Sequence, residues 1–480
     1  MKKIKITLFA FLSLSLTIVS CDKDFEETNT DPNNSSVISS DLLLSYAQLN
    51  QMNTVYGMQR GGGDMGSCWA QQMSKVQYND ENRYVVRSGV IDDIWFELYT
   101  TSVAEANGMY DLALEAGNTN QQGIALVMKA VGFQTLTDLF GPIPFTESLN
   151  PDITKPAYDD EATVYEGILT LLTDAANLLS NGTGEVATSD LYYQGNTSKW
   201  LKLANSLKFR ALMRISSTRD VSSELQALIN GGKMMTTNSD GAQIQYLSAP
   251  DDANPIYKTI IDGLRPEYKL GGLMVETLQF LNDDRLSVYA SVNASGVYLG
   301  KPAGYGRQTT LPNEGLGYTY ANISGLGDFY LNPELPGVLM SYSQLSFLKA
   351  EAANENLITG GITAALNYYR EGIAASFKWN GVDSTSYLAQ DGLNFTTQAD
   401  AREKIATQEW IALFGQGFEA WTEWRRTKIP YLEPALESTL GQIPSRLSYS
   451  TDDPSLNGEN YEAASQSIGG DLLTSSLFWQ

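Results

Sequence analysis

Two stretches hold residue types that could take up a ligand. The run Arg60 through Tyr84 carries Arg60, Asp64, Trp69, Gln71, Tyr78, Asn79 and Arg83, and the run Tyr298 through Tyr320 carries Tyr305, Tyr318 and Tyr320 among glycines. Flat aromatic faces beside convergent polar groups suit a neutral oligomer. Sugar rings offer C–H faces to aromatics and hydroxyls to Asp, Asn and Arg. A peptide would instead use backbone hydrogen bonds and apolar pockets. Each aromatic also has a competing role in packing, Trp69 as much as the tyrosines.

Other chemistry is limited by composition. The 480 residues include no histidine. That removes Ser-His-Asp and Cys-His catalysis, His-ligated metal and a His-based pH switch. A glycosidase working through two carboxylates stays open, although nothing among the 55 acidic residues marks such a pair. No cofactor or metal is implied. Gly61-x-Gly63-x-x-Gly66 matches a dinucleotide fingerprint in letters but follows a helical-looking stretch, not a strand. A glycine-rich turn shaping a ligand loop is the better reading. The net charge of −23 repels phosphate backbones and argues against nucleic acid and against adhesion to anionic lipid through a basic patch.

The start of the chain reads as an export signal. Met1 through Lys5 is basic, Ile6 through Val19 is uncharged and mostly apolar, and the run stops at Ser20-Cys21. Such a run is too short for a comfortable membrane span. Apolar, small, small, Cys is the pattern of lipoprotein processing, so residues 1–20 are expected to be removed and Cys21 to carry lipid. More than one acyl chain would make that anchor stable. Residues 21–40 are polar and read as a tether. With Cys21 lipidated, Cys68 is alone and no intramolecular disulfide can form. A small, buried, apolar role suits it.

Residues 41–480 read as one mainly α domain. Apolar residues step by three or four in pairs of segments: 92–116 with 121–140, 160–180 with 197–216, and 340–357 with 361–378. A last helical region spans 400–426. Asp159 or Asp160 can cap the segment from 160, and Gly182 can close it. Recurring helix pairs suggest a solenoid of degenerate tetratricopeptide-like repeats. Lys199, Lys202, Lys208, Arg210 and Arg214 form one face of their segment and read as a solvated face pairing with the acidic excess. Residues 217–335 read as a loop and short-strand insertion, too long and too aromatic to be a passive connection.

Together these segments resemble the SusD/RagB family of nutrient-binding outer-membrane lipoproteins, and its second SusD-like subfamily in particular. The match rests on Leu139-Phe140-Gly141-Pro142-Ile143-Pro144-Phe145, on Gln408 through Thr427, on Ile443 through Tyr449 and on Asn457 through Ala463. The ending Leu477-Phe478-Trp479-Gln480 departs from the Trp-Trp-Asp ending common there. The resemblance implies a right-handed superhelix of helix pairs with a loop-rich ligand face. It implies no catalysis, and a cell-surface position held by lipid. It implies delivery of an oligosaccharide or peptide to a SusC-like TonB-dependent transporter. A structural lid that touches no substrate is the competing role. The family binds through loops of about these two regions without conserving their residues, so Arg60, Asp64, Trp69, Tyr78, Asn79, Arg83, Tyr305, Tyr318 and Tyr320 are carried as candidates by region only.

Overall fold

A computed structural model describes residues 40–305, 317–438 and 440–480. The expected signal, the expected lipidation site Cys21 and nearly all of the expected tether lie outside them. Residues 40–480 form one compact unit.

The longer helices in chain order are α1 (Ser40–Tyr56), α2 (Ser88–Glu97), α3 (Ala104–Glu115), α4 (Thr119–Phe140), α5 (Glu161–Ser180), α6 (Thr197–Arg214) and α7 (Ser222–Gly231). Then follow α8 (Gly272–Phe280), α9 (Tyr342–Asn354), α10 (Gly361–Trp379), α11 (Gln398–Ala412), α12 (Gly417–Thr427) and α13 (Gly458–Ser467). Pairs α4–α5, α5–α6, α3–α4 and α9–α10 pack on one another, giving the mainly α fold that the periodicity predicts. Side chains of Asn118, Asp160, Asn196, Ser341 and Thr397 accept from backbone N–H groups of the first turns of α4, α5, α6, α9 and α11. Each such cap stabilises its helix by about 1 kcal/mol. Asp160, not Asp159, caps α5. Gly182 does not end that helix through a left-handed cap; an added Cβ there would sit 1.9 Å from Asn120 Oδ1, so close packing demands it.

Helix α4 runs through the middle with both faces covered, including Gln121, Gln134 and Asp138. It is long and apolar enough to cross a membrane, yet 89% of the apolar stretch is buried inside the protein. The region 400–426 is two helices, broken where Gly415 takes φ +86°. Residues 217–335 are less irregular than their composition suggests, since α7 and α8 lie within them.

Two small antiparallel pairs fix the loops. Strand β1 (Met73–Lys75) pairs with β3 (Tyr268–Leu270), Met73 opposite Leu270. Strand β2 (Ala242–Ile244) pairs with β4 (Gly337–Met340). The glycines at 61–66 serve packing. They lie in a tight π-helical turn, Gly61–Ser67, against α12. A Cβ on Gly61 would lie 1.7 Å from the Phe418 ring, and one on Gly66 would lie 2.3 Å from Gly417 backbone.

The basic face of α6 is not solvated at its C-terminal end. Lys202 is half-buried and pairs with the buried Asp240, and Arg210 and Arg214 are buried. Arg214 bonds Asp138 of α4 at 2.8 Å and Glu419 and Glu423 of α12 at 2.8 and 2.9 Å. The acidic partners come from distant helices, so a burial site with its own counter-charges replaces the surface face the spacing suggests.

Glu161, at the start of α5, is buried beside the chain's last turn and accepts from the Phe478 backbone N–H at 3.1 Å. Burial pushes its carboxyl up to about 7, against partial opposition from that hydrogen bond and from Arg446. A carboxyl raised on folding contributes stability that is complete below its unfolded value and is lost as pH rises through the folded one. We expect stability measured against denaturant to lose about 3 kcal/mol at most between about pH 4.5 and 7 from this group. Glu161→Gln should remove that component, and a variant with the wild-type slope would refute it.

Candidate functional site

The β1–β3 pairing positions the segment of Tyr78, and Gln77 and Lys269 along it meet a second exposed tyrosine, Tyr320. Beyond the strands, the Val76 N–H donates to Glu267 O at 3.0 Å, which lays Gln77 and Tyr78 beside Arg265 through Lys269. Tyr78 takes φ +54° and is 56% exposed. The Arg265 guanidinium sits 4.9 Å from the centre of its ring and is itself held by Glu267 at 2.5 Å. Tyr320 is 36% exposed; its hydroxyl donates to Gln77 Oε1 at 2.8 Å, and Lys269 Nζ lies 5.9 Å from its ring centre. Burial holds the Lys269 ammonium below the usual lysine range. Each of the two exposed rings thus has a cation beside it, and the Gln77 that bonds Tyr320 precedes Tyr78 in the chain.

Apolar packing holds this surface from behind. Val76, Tyr318 and Ile323 form a small cluster, with Leu299 and Tyr305 against it. The rings of Tyr305 and Tyr318 are 5.2 Å apart. Lys301 is buried 5.8 Å from the Tyr318 ring centre, and burial lowers its ammonium to about 8. On the other flank Arg83 pairs with Asp80 at 2.9 Å and Glu437 at 3.4 Å, and the Tyr84 hydroxyl accepts from the Ala435 N–H.

The sequence candidates divide accordingly. Tyr78 and Tyr320 come together at the surface, with Arg83 and the half-buried Tyr305 on the supporting loops. Four candidates are buried. Trp69 is fully enclosed, its indole N–H bound to Glu81 O at 2.9 Å and its ring edge-on to Trp421 at 4.8 Å. Asp64 is 1% exposed and bonded to Lys75, Arg87 and Tyr268, so its charge is already neutralised inside the protein. Tyr318 is 1% exposed and supports the loop. Asn79 is buried as well, and Arg60 lies elsewhere, paired with Glu97 and Asp93. Cys68 is buried as a small apolar residue, and burial raises its thiol.

Gln77, Arg265 and Lys269 are additions that the sequence reading lacks. Their available signal is the period-two spacing Arg265-x-Glu267-x-Lys269, which marks a strand face. Among the described residues no group of three or more Cys, Asp or Glu is placed to hold a metal.

Paired helices with a loop-built aromatic face define a tetratricopeptide-like scaffold carrying an inserted surface. The chain belongs to the second SusD-like family, described as starch-binding and associating with the outer membrane, which matches residues 32–450. Among solved structures it is similar to a chitin-binding protein at 24% identity and TM-score 0.80, covering 92% of this chain and 99% of that one. It is also similar to a chitin-binding SusD homologue from Flavobacterium johnsoniae at 21% identity and TM-score 0.78, covering 91% and 98%. A SusD-like protein from Bacteroides thetaiotaomicron is 25% identical with TM-score 0.76, covering 92% and 98%. None of the curated proteins compared matches the chain.

Proposed function

We propose that this protein is a cell-surface lipoprotein that binds an oligosaccharide on the Tyr78–Tyr320 surface and passes it to a SusC-like TonB-dependent transporter. The carrying observation is the pair of exposed rings with Arg265, Lys269 and Gln77 around them. An exposed ring offers a stacking face, and fixed amide and cationic donors meet hydroxyls. Family membership and the chitin-binding neighbours support a glycan over a peptide. The role is capture, not catalysis. Lipid on Cys21 would hold the protein at the outer membrane, with residues 22–39 as the leash.

The test is calorimetric titration of starch and chitin oligomers. The double variant Tyr78→Ala/Tyr320→Ala should lose at least about tenfold in affinity, equivalent to about 1.4 kcal/mol, with an unchanged unfolding midpoint. Full affinity in that variant would remove the site from this surface. Mass spectrometry of the membrane-extracted protein should show acyl chains on Cys21; an unmodified or missing cysteine would end the anchoring proposal.

A further inference from the structure

A second cleft opens away from these tyrosines. Its volume is about 490 Å³, within the range that holds a small ligand, and α8 and α11 form its walls with Tyr369 of α10 and Pro430. None of the platform residues lines it. Phe280, the last residue of α8, stands at this cleft 84% exposed, far more than a ring of that size normally is. Tyr431, next to the lining Pro430, is 75% exposed.

The polar groups have a sign. Glu276, Asp400 and Glu403 line the cleft with one cation, Lys404, and Lys404 is already paired with Asp400 at 2.9 Å. Glu276 and Glu403 are exposed and join no ion pair among the described residues. The cleft is therefore net negative. Tyr369 is 1% exposed and lines the same space.

We infer that this cleft binds a sugar residue bearing a protonated amine, a deacetylated hexosamine, at a site separate from the Tyr78–Tyr320 surface. The ring of Phe280 accepts the C–H face and, through its quadrupole, the adjacent cation. Glu276 and Glu403 accept from the ammonium, and Tyr369 closes one wall. An acetylated amine is neutral and gains nothing from the carboxylates.

Glucosamine oligomers and their N-acetylated counterparts, titrated at about pH 6 so that the amine is charged, test this. The glucosamine oligomer should bind more tightly than the acetylated one. Its affinity should fall at least about tenfold in Phe280→Ala and in Glu403→Gln, fall with added salt, and stay unchanged in Tyr78→Ala/Tyr320→Ala. Both altered residues are exposed, so neither change threatens the fold. Equal binding of the two oligomers, no binding of the glucosamine oligomer, loss only in the tyrosine double variant, or equally tight binding of a lysine-rich peptide of matched charge would each overturn the inference. Failure of the main glycan site reads out separately, as full binding of neutral oligomers by the tyrosine double variant.

Discussion

Trp69→Ala will destabilise the protein by about 3–5 kcal/mol, the usual cost of emptying a fully enclosed indole site. The indole has no exposed surface, and its neighbours are Trp421 at 4.8 Å and Tyr84 at 6.2 Å between ring centres. Its N–H holds Glu81 O, and Glu81 in turn bonds Lys75 and Arg87. Removing the ring opens a cavity between α12 and the loop that carries Tyr78. It also leaves the Glu81 carbonyl with the Tyr84 N–H as its remaining donor. Urea denaturation should show the fall in midpoint with an unchanged slope. Weaker glycan binding by this variant would then follow from the loosened loop and would not place Trp69 against the ligand. Tyr78→Ala makes the contrast, with stability kept and binding lost. A Trp69→Ala protein as stable as wild type would mean that the indole is not packed as described.

That contrast shows where sequence reading works and where it stops. The helices were legible because burial of one face leaves a period of three to four. Of the stripe Val164, Ile168, Leu171, Ala175 and Leu178, the first two and Ala175 are buried on α5 and both leucines are half-buried; local spacing narrowed the cap to Asp159 or Asp160, and the structure selects Asp160. Local signals also reached the region of the candidate surface, since aromatics and polar groups alternate there whichever role each takes. The role itself was illegible. Trp69 and Tyr78 sit nine positions apart in one mixed stretch, and only Trp421 and Arg265, distant in sequence, decide which is enclosed and which is open. The glycines at 61, 63 and 66 match a dinucleotide fingerprint in letters, yet Phe418, Met58 and Gly417 in turn fix their size. Arg210 and Arg214 have the spacing of a surface face, and nothing local announces that Asp138 and Glu419 will meet them. Long-range pairing is what composition and periodicity omit.

Arg214→Ala should be as damaging as the tryptophan change, by a different route. The guanidinium is fully buried and is the shared partner of Asp138, Glu419 and Glu423. Breaking a buried pair by removing one member costs about 3–5 kcal/mol, because the remaining charge is left in a poor solvent. Here three carboxylates lose one cation. Arg425 bonds the Asp138 carbonyl, and Arg426 bonds Glu423 and Glu351, so compensation exists but is already committed. Glu409 stands close in this network; burial raises its carboxyl well above the usual range, followed by repulsion from Glu423. The site therefore already favours one proton, and removing Arg214 will favour more. Carboxyls raised in the folded state stabilise it below their unfolded values and cease to do so as pH rises. The deficit of Arg214→Ala relative to wild type should accordingly be smaller near pH 5 than near pH 8, roughly. Denaturation midpoints of both proteins at the two pH values decide it. A deficit that is constant with pH would show that the carboxylates find other cations, and a deficit below about 0.5 kcal/mol, the scale of an ordinary surface substitution, would show that the network carries little of the fold's stability.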